Sequence, residues 1–91
     1  MDIDINDTRL AVIDEGRGDA LLFLHGMGCD GSDWQPQIDA LSGSHRCISV
    51  DHRGHGHSDR SVGEGFSIER FADDALAVLD HLGVDSAHVI G

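Results

Sequence analysis

The sequence predicts an α/β fold, in which an N-terminal antiparallel hairpin is followed by parallel strands with crossover helices. Residues 2–7 alternate polar and apolar side chains, which is typical of a strand with one buried face. Ala20–Leu24 is apolar throughout, as a parallel strand buried on both faces would be. A long segment after Ser67 has apolar residues at helical spacing. Buried strands that alternate with amphipathic helices indicate right-handed βαβ crossovers and a parallel sheet.

The first part of the chain is predicted to be the hairpin and one buried strand. Residues 6–8 are Asn, Asp and Thr, which favour a turn, and Arg9–Asp14 then continues the alternation less regularly. Residues 16–19 contain two glycines and form the next turn. The apolar strand Ala20–Leu24 follows directly.

A short helix and a second buried strand come next. Either Ser32 or Asp33 can cap this helix, which we expect to run to about Leu41. His45–Asp51 is the second buried strand. Cys47 lies within its apolar run, which predicts a small core residue.

The longest helix is predicted to follow a loop at residues 52–66. Ser67 is a natural N-cap and Gly83 suits the position just after the helix. The acidic residues, Asp74 among them, lie off the apolar stripe on a helical wheel. Ala87–Ile90 is the last strand. The apolar stripe consists of Ile68, Phe71, Ala72, Ala75, Leu76, Leu79 and Leu82.

The composition favours a small acidic protein of the cytoplasm. Its 91 residues make one small domain or a piece of one, with 17 acidic side chains against six Arg and a net charge of −11. Nucleic acids and anionic membranes need a basic surface, so neither is expected as a partner. The acidic start and the short apolar runs give no sign of a secretory signal or a membrane span. Cys29 and Cys47 are too few for a disulfide scaffold and lack paired metal-ligand spacing.

Two glycine-rich loops follow the buried strands. One is His25-Gly26-Met27-Gly28, and the other spans Asp51 to Asp59. In an open parallel sheet, ligands bind at the carboxyl ends of the strands. Glycines there let backbone N–H groups approach a ligand closely. Such donors could hold a phosphate group or a developing oxyanion.

A dinucleotide site is one alternative. Residues 26–31 match the G-x-G-x-x-G spacing between a strand and a helix, and Asp51 stands where an acidic ribose ligand would be. The N-terminal hairpin and Pro36 in the following helix are unusual for that class of protein. A Walker phosphate loop is excluded, because it needs a lysine and the sequence has none.

A metal site is the second alternative. His55, His57 and Asp59 form an H-x-H-x-D string after a strand, which resembles the first metal motif of the metallo-β-lactamase fold. That motif continues with another histidine, whereas Arg60 follows here, and a cation would oppose a metal. We therefore expect neither a functional metal nor another cofactor.

The two loops together most resemble the α/β-hydrolase family. Proteins of that family begin with an antiparallel hairpin and an apolar strand that ends in H-G-x-G, and many carry a tryptophan on the next helix, as Trp34 does here. A strand that ends in D-x-R-G-x-G-x-S follows. Asp51, Arg53, Gly54, Gly56 and Ser58 occupy every fixed place of that pattern. The resemblance covers the whole chain.

The resemblance implies that the catalytic residues lie beyond this sequence. The family's nucleophile elbow, G-x-S-x-G, follows the last of these strands, and Gly91 resembles its first glycine. The nucleophile, acid and base are thus all expected after Gly91. Residues 1–91 would be the N-terminal part of a single hydrolase domain, with an incomplete sheet and no activity alone.

The resemblance also implies roles for residues of the two loops. Met27 would donate its backbone N–H to the oxyanion hole, within a substrate-binding turn shaped by His25, Gly26 and Gly28. Three further residues would structure the second loop without reacting: Asp51, Arg53 and Ser58.

A serine hydrolase of carboxylic esters or lactones is the implied enzyme. The family's epoxide hydrolases and dehalogenases use an aspartate nucleophile and commonly show H-G-x-P, and Gly28 replaces that proline here. A non-catalytic α/β binding module is the alternative. Because the last strand Ala87–Ile90 would be an open edge, we also expect the isolated chain to be either a poorly stable, fluctuating monomer or self-associated through that edge.

Overall fold

A five-stranded mixed sheet is the centre of the computed structural model, which describes residues 1–5, 8–26, 28–59 and 67–91. The sheet order is β1-β2-β4-β3-β5. β2 pairs antiparallel with β1 and with β4, whereas β3 pairs parallel with β4 and β5. The predicted fold class is therefore confirmed. The strands are β1 (Asp2–Ile5), β2 (Thr8–Glu15), β3 (Ala20–Leu24), β4 (Arg46–Val50) and β5 (His88–Ile90).

The strand ends differ slightly from the prediction. Thr8 belongs to β2, where it pairs with Ile5, and not to the turn. The other two residues of that predicted turn lie outside the described part of the chain. β4 excludes the predicted end residues His45 and Asp51, and the Asp51 carboxylate accepts the backbone N–H groups of Gly31 and His57.

The first helix begins as a 3-10 turn at Gly31–Trp34 and continues as α1 (Gln35–Leu41). Asp30 caps it, because its carboxylate accepts the Ser32 N–H at 2.8 Å. The prediction of Ser32 or Asp33 as the cap was wrong by two or three positions. Asp30 has the extended backbone that a cap requires.

The second helix, α2 (Ile68–His81), has the predicted ends. The Ser67 hydroxyl accepts the Arg70 N–H at 3.1 Å. Gly83 follows the helix with a φ of 72°, a left-handed conformation that glycine adopts without strain. No helix in the described part of the chain is long and apolar enough to cross a membrane.

The buried face of α2 is rotated relative to the predicted stripe. Ile68 and Leu76 are 68% and 62% exposed, whereas Asp74 and Val78 are fully buried. The prediction that Asp74 lies off the buried face was wrong. The helix presents Asp74 to Arg53 of the loop after β4, with which it forms a buried ion pair.

Each face of the sheet packs against one helical segment. On the α1 face, the ring of Phe23 lies 5.3 Å from that of Trp34, and Cys47 is fully buried as predicted. The α1 face also buries Leu21 and Ile38. The α2 face buries Ile3, Ile5, Leu10, Val12, Ala20, Leu22, Ile48, Val50, Ala75, Val78 and Leu79.

Candidate active site

Two loops meet at the carboxyl ends of β3 and β4. We call residues 25–30 the first loop and residues 51–59 the second loop. Gly28, Gly54 and Gly56 have φ angles of 82°, 79° and 50°, so the chain turns there in a conformation that favours glycine. Met27 lies outside the described residues, and its expected role as an oxyanion donor stays a prediction.

His25 connects the first loop to the second. Its buried ring accepts the His52 N–H at Nε2, across 2.9 Å, while Nδ1 lies 2.8 Å from the Gly26 carbonyl oxygen. A carbonyl oxygen only accepts hydrogen bonds and a backbone N–H only donates one. His25 must therefore be neutral, with its proton on Nδ1.

His55 makes the reciprocal connection from the second loop to the first. Its Nε2 accepts the Gly28 N–H across 3.0 Å, and its Nδ1 lies 3.0 Å from the Arg53 carbonyl oxygen. The same rule makes this buried ring neutral and protonated on Nδ1. The Gly28 amide, expected from the sequence to shape the substrate-binding turn, is held by this bond.

Asp51 holds the start of the helix and the second loop together. Its Oδ1 accepts the Gly31 N–H at 2.6 Å, and its Oδ2 accepts the His57 N–H at 2.9 Å. A Cβ on Gly31 would lie 2.7 Å from Oδ1, and one on Gly56 would overlap Oδ2. The carboxylate is thus committed to backbone amides, which gives no support to a ribose-binding role.

Ser58 ties the second loop to the neighbouring strand β2. Its hydroxyl donates to the Asp51 carbonyl oxygen and accepts the Ala11 N–H at 2.8 Å. One residue later, the Asp59 N–H donates to the Arg9 carbonyl oxygen at 2.8 Å. Two successive residues therefore anchor the end of the loop on the hairpin.

Arg53 and Asp74 join the second loop to α2. The guanidinium donates twice to the carboxylate, Nε to Oδ2 at 2.7 Å and Nη2 to Oδ1 at 2.8 Å, and both side chains are buried. Sequence reasoning missed Asp74 as a site residue. Its signal was present, because Asp74 follows Phe71 by three residues and precedes Val78 by four, on one helical face.

His52 lines the site with a neutral ring. It stacks on Phe71, with ring centres 4.6 Å apart and planes 14° apart. Burial, as the largest cause, and the neighbouring rings of His25 and His55 together lower its pKa from 6.5 to about 4, against a smaller opposing effect of Asp74. Its Nδ1 has no hydrogen-bond partner within the described part of the protein.

A small cavity of about 180 Å³ opens beside the end of β3. Its walls are mostly apolar and come from β3, both loops and α2. The lining residues are Leu24, His25, His52, Ile68, Phe71 and Ala72.

The end of β5 lies beside the end of β3, from which the first loop leads. Ile90 pairs with Phe23, so β5 and β3 end side by side. A Cβ on Gly91 would lie 3.9 Å from the Leu24 carbonyl oxygen. β5 and β3 therefore reach the same edge of the sheet, at which the first loop begins.

The metal alternative at His55, His57 and Asp59 is not supported. Both ring nitrogens of His55 face backbone groups, and the His57 side chain is 93% exposed. Within residues 1–5, 8–26, 28–59 and 67–91, no three His, Cys, Asp or Glu side chains are grouped to hold a metal ion.

Comparison with known proteins agrees with this geometry. A model of the alpha/beta hydrolase fold matches residues 19–91. The protein named "Putative carbamate hydrolase RutD" of Azorhizobium caulinodans is 45% identical over 76 residues, which are 84% of this chain and 28% of that protein. The 3-oxoadipate enol-lactonase 1 of Acinetobacter baylyi is 39% identical over 72 residues, 79% of this chain and 26% of that protein.

A solved structure extends the match to the whole chain. Est816, described as an N-acyl homoserine lactone degrading enzyme, superposes with a TM-score of 0.94 at 35% identity, over 100% of this chain and 35% of its own. This chain thus spans about a third, or less, of the proteins that it matches.

Proposed function

This chain belongs to the alpha/beta hydrolase fold family, and from that premise we propose that residues 1–91 are the N-terminal part of a serine hydrolase domain that acts on small carboxylic esters or lactones. The three relatives are named as a putative carbamate hydrolase, an enol-lactonase and an N-acyl homoserine lactone degrading enzyme. Two of the three names refer to lactones, which are cyclic esters, and this supports an ester or lactone substrate.

The observation that carries the proposal is that β5 ends beside the end of β3, from which the first loop leads. Gly91 follows a strand that ends beside β3, within reach of the turn after Leu24. A nucleophile placed just after Gly91 would face an N–H donor in the first loop. A serine attack on an acyl carbon needs this arrangement, since the tetrahedral oxyanion must form within hydrogen-bond distance of such donors.

The rest of the proposed chemistry would come from residues after Gly91. A base would take the serine proton, the acyl group would pass to the serine with loss of the alcohol, and water would release the acid. The role of Met27 as a main-chain donor is part of this proposal. Gly28, in place of the proline common in the family's aspartate-nucleophile enzymes, supports serine as the nucleophile.

The first test is the identity of the second residue after Gly91 in the reading frame. We expect serine, and labelling of the encoded protein by a fluorophosphonate probe. Aspartate would redirect the proposal to the family's epoxide or halide chemistry. A genuine stop codon after Gly91 would favour a non-catalytic binding module.

The second test separates the main-chain donor from the Met27 side chain. In the catalytically complete protein, Met27→Pro removes the N–H and should lower kcat about 10²- to 10³-fold. Met27→Ala keeps the N–H and is the matched control. Equal rates in the two variants would contradict a donor at this position, provided that the fluorescence of Trp34 reports the same fold in both.

A further inference from the structure

The strongest unassigned feature is the pair of reciprocal hydrogen bonds between the two loops. His25 of the first loop accepts a backbone N–H of the second loop, at His52. His55 of the second loop accepts a backbone N–H of the first loop, at Gly28. The two rings lie 5.1 Å apart, and both are buried. Each loop therefore donates one backbone N–H to a histidine of the other loop.

His55 is the member of this pair that acts on the proposed oxyanion loop. Its acceptor, Nε2, is 3.0 Å from the amide nitrogen of Gly28, which directly follows Met27. The donor side of the ring is fixed as well, because Nδ1 faces the Arg53 carbonyl oxygen. Arg53 is in turn held by Asp74 of α2. A continuous set of bonds thus runs from α2 through Arg53 and His55 to Gly28.

From this geometry we infer that His55 is a positioning residue, which holds the first loop by accepting the Gly28 N–H as a neutral ring protonated on Nδ1. This inference rests on the proposed function for its catalytic meaning, since an oxyanion donor acts only where its N–H is already aimed. His55 is not a general base in this arrangement, because its basic nitrogen is occupied by the Gly28 amide.

The inference depends on which nitrogen carries the proton, and this can be measured directly. Long-range ¹H–¹⁵N correlation spectra of the chain at pH 7.5 distinguish an imidazole with its proton on Nδ1 from one with its proton on Nε2. We expect the Nδ1–H pattern at His25 and at His55. The exposed His57 is the internal reference, which should average between the two forms. A His55 spectrum that averages between the two tautomers would overturn the inference, and so would the averaged spectrum that an unfolded chain gives.

Two substitutions of His55 each keep one of the two hydrogen bonds of its ring and remove the other. In His55→Gln the amide oxygen can replace Nε2 and accept the Gly28 N–H, whereas His55→Asn can donate to the Arg53 carbonyl oxygen but does not reach Gly28. We expect Gly28 amide exchange to stay slow in His55→Gln and to rise about five- to tenfold in His55→Asn. His57→Gln, in the same loop, is the control and should not change it.

The exchange of the Gly28 amide tests the positioning role without any measurement of catalysis. Equal exchange at Gly28 in the Gln and Asn variants would overturn the positioning role, whatever activity the longer protein has. Conversely, if the exchange pattern holds but no hydrolase activity is found for the catalytically complete protein, the proposed function fails and the loop geometry stands.

Discussion

Arg53 and Asp74 face each other in the interior with two parallel hydrogen bonds, of 2.7 and 2.8 Å, between guanidinium and carboxylate. Neither charge reaches water. A buried pair of this kind adds little net stability over an apolar pair, but removing one partner leaves an unpaired charge in the interior. The pair therefore fixes the second loop against α2, because separating the two side chains would leave a buried charge without its counter-charge.

The first prediction concerns this ion pair. Asp74→Ala should lower the free energy of unfolding by about 3–5 kcal/mol, enough to abolish the folded state of so small a chain, because Arg53 would stay buried without its counter-charge. Urea unfolding followed by circular dichroism measures this. Asp73→Ala, on the exposed side of the same helix, should change little. Similar losses in both variants would contradict the role of the ion pair.

The second prediction concerns acid stability. The pKa of His52 is 6.5 in the unfolded chain and about 4 in the folded one, so between these values the unfolded state binds the extra proton. The stabilising effect is complete above pH 6.5 and is lost as the pH falls toward 4. It should amount to about 3 kcal/mol. Urea unfolding at several pH values measures it.

His52→Phe is the matched variant for that experiment. It keeps the stacking on Phe71 and the backbone N–H to His25, but it cannot bind a proton. We expect its stability to fall much less between pH 6.5 and 4. The same fall in both proteins would show that His52 does not dominate the acid response.

The third prediction concerns activity. The 91-residue chain by itself should not hydrolyse a short acyl ester faster than a bulk-protein control, because a single oxyanion donor without nucleophile and base contributes little. Release of p-nitrophenol is a sufficient assay. A rate that is typical of esterases and is lost in Met27→Pro would contradict this expectation.

The fourth prediction concerns self-association. β5 is at one edge of the described sheet, and its Val89 is 62% exposed. We expect the chain to form dimers or larger species through this edge, and Val89→Lys to disperse them, because a charge on an edge strand opposes strand pairing. Gel filtration measures the change.

Leu76→Lys separates the strand edge from the helix surface. Leu76 is as exposed as Val89 but lies on α2. If only Leu76→Lys disperses the dimers or larger species, the contact between chains lies on α2 and not on the edge strand. A monodisperse monomer with a sharp melt above about 60 °C would contradict self-association altogether.

Periodicity predicted the elements of this fold well. The uninterrupted apolar residues at 20–24 and the cap at Ser67 are local signals, and both elements begin where expected. The cap of the first helix was misplaced because Asp30, Ser32 and Asp33 are all good caps within four residues. Only the backbone conformation at Asp30 decides among them.

The contacts within the candidate site were much less accessible to sequence reasoning. From the sequence, Asp74 is expected to face solvent, because its partner Arg53 lies 21 residues earlier in a loop without periodicity. The bond between His55 and Gly28 spans 27 residues and joins two loops that have no periodicity. Such pairs are set by the tertiary fold, and no local propensity encodes them.

The pairing of β5 with β3 rests on three residue pairs, Leu21 with His88, Leu22 with Val89 and Phe23 with Ile90. A slip by one residue would exchange the faces of Val89 and Ile90 and shift the exit of the chain by about 3.3 Å along the strand. That distance is the whole length of a hydrogen bond to an oxyanion. In the proposed hydrolase, the position of the residues after Gly91 relative to the first loop would therefore depend on this short ladder. A core substitution that loosens β5 would then lower activity by misaligning the reacting groups, without removing any of them.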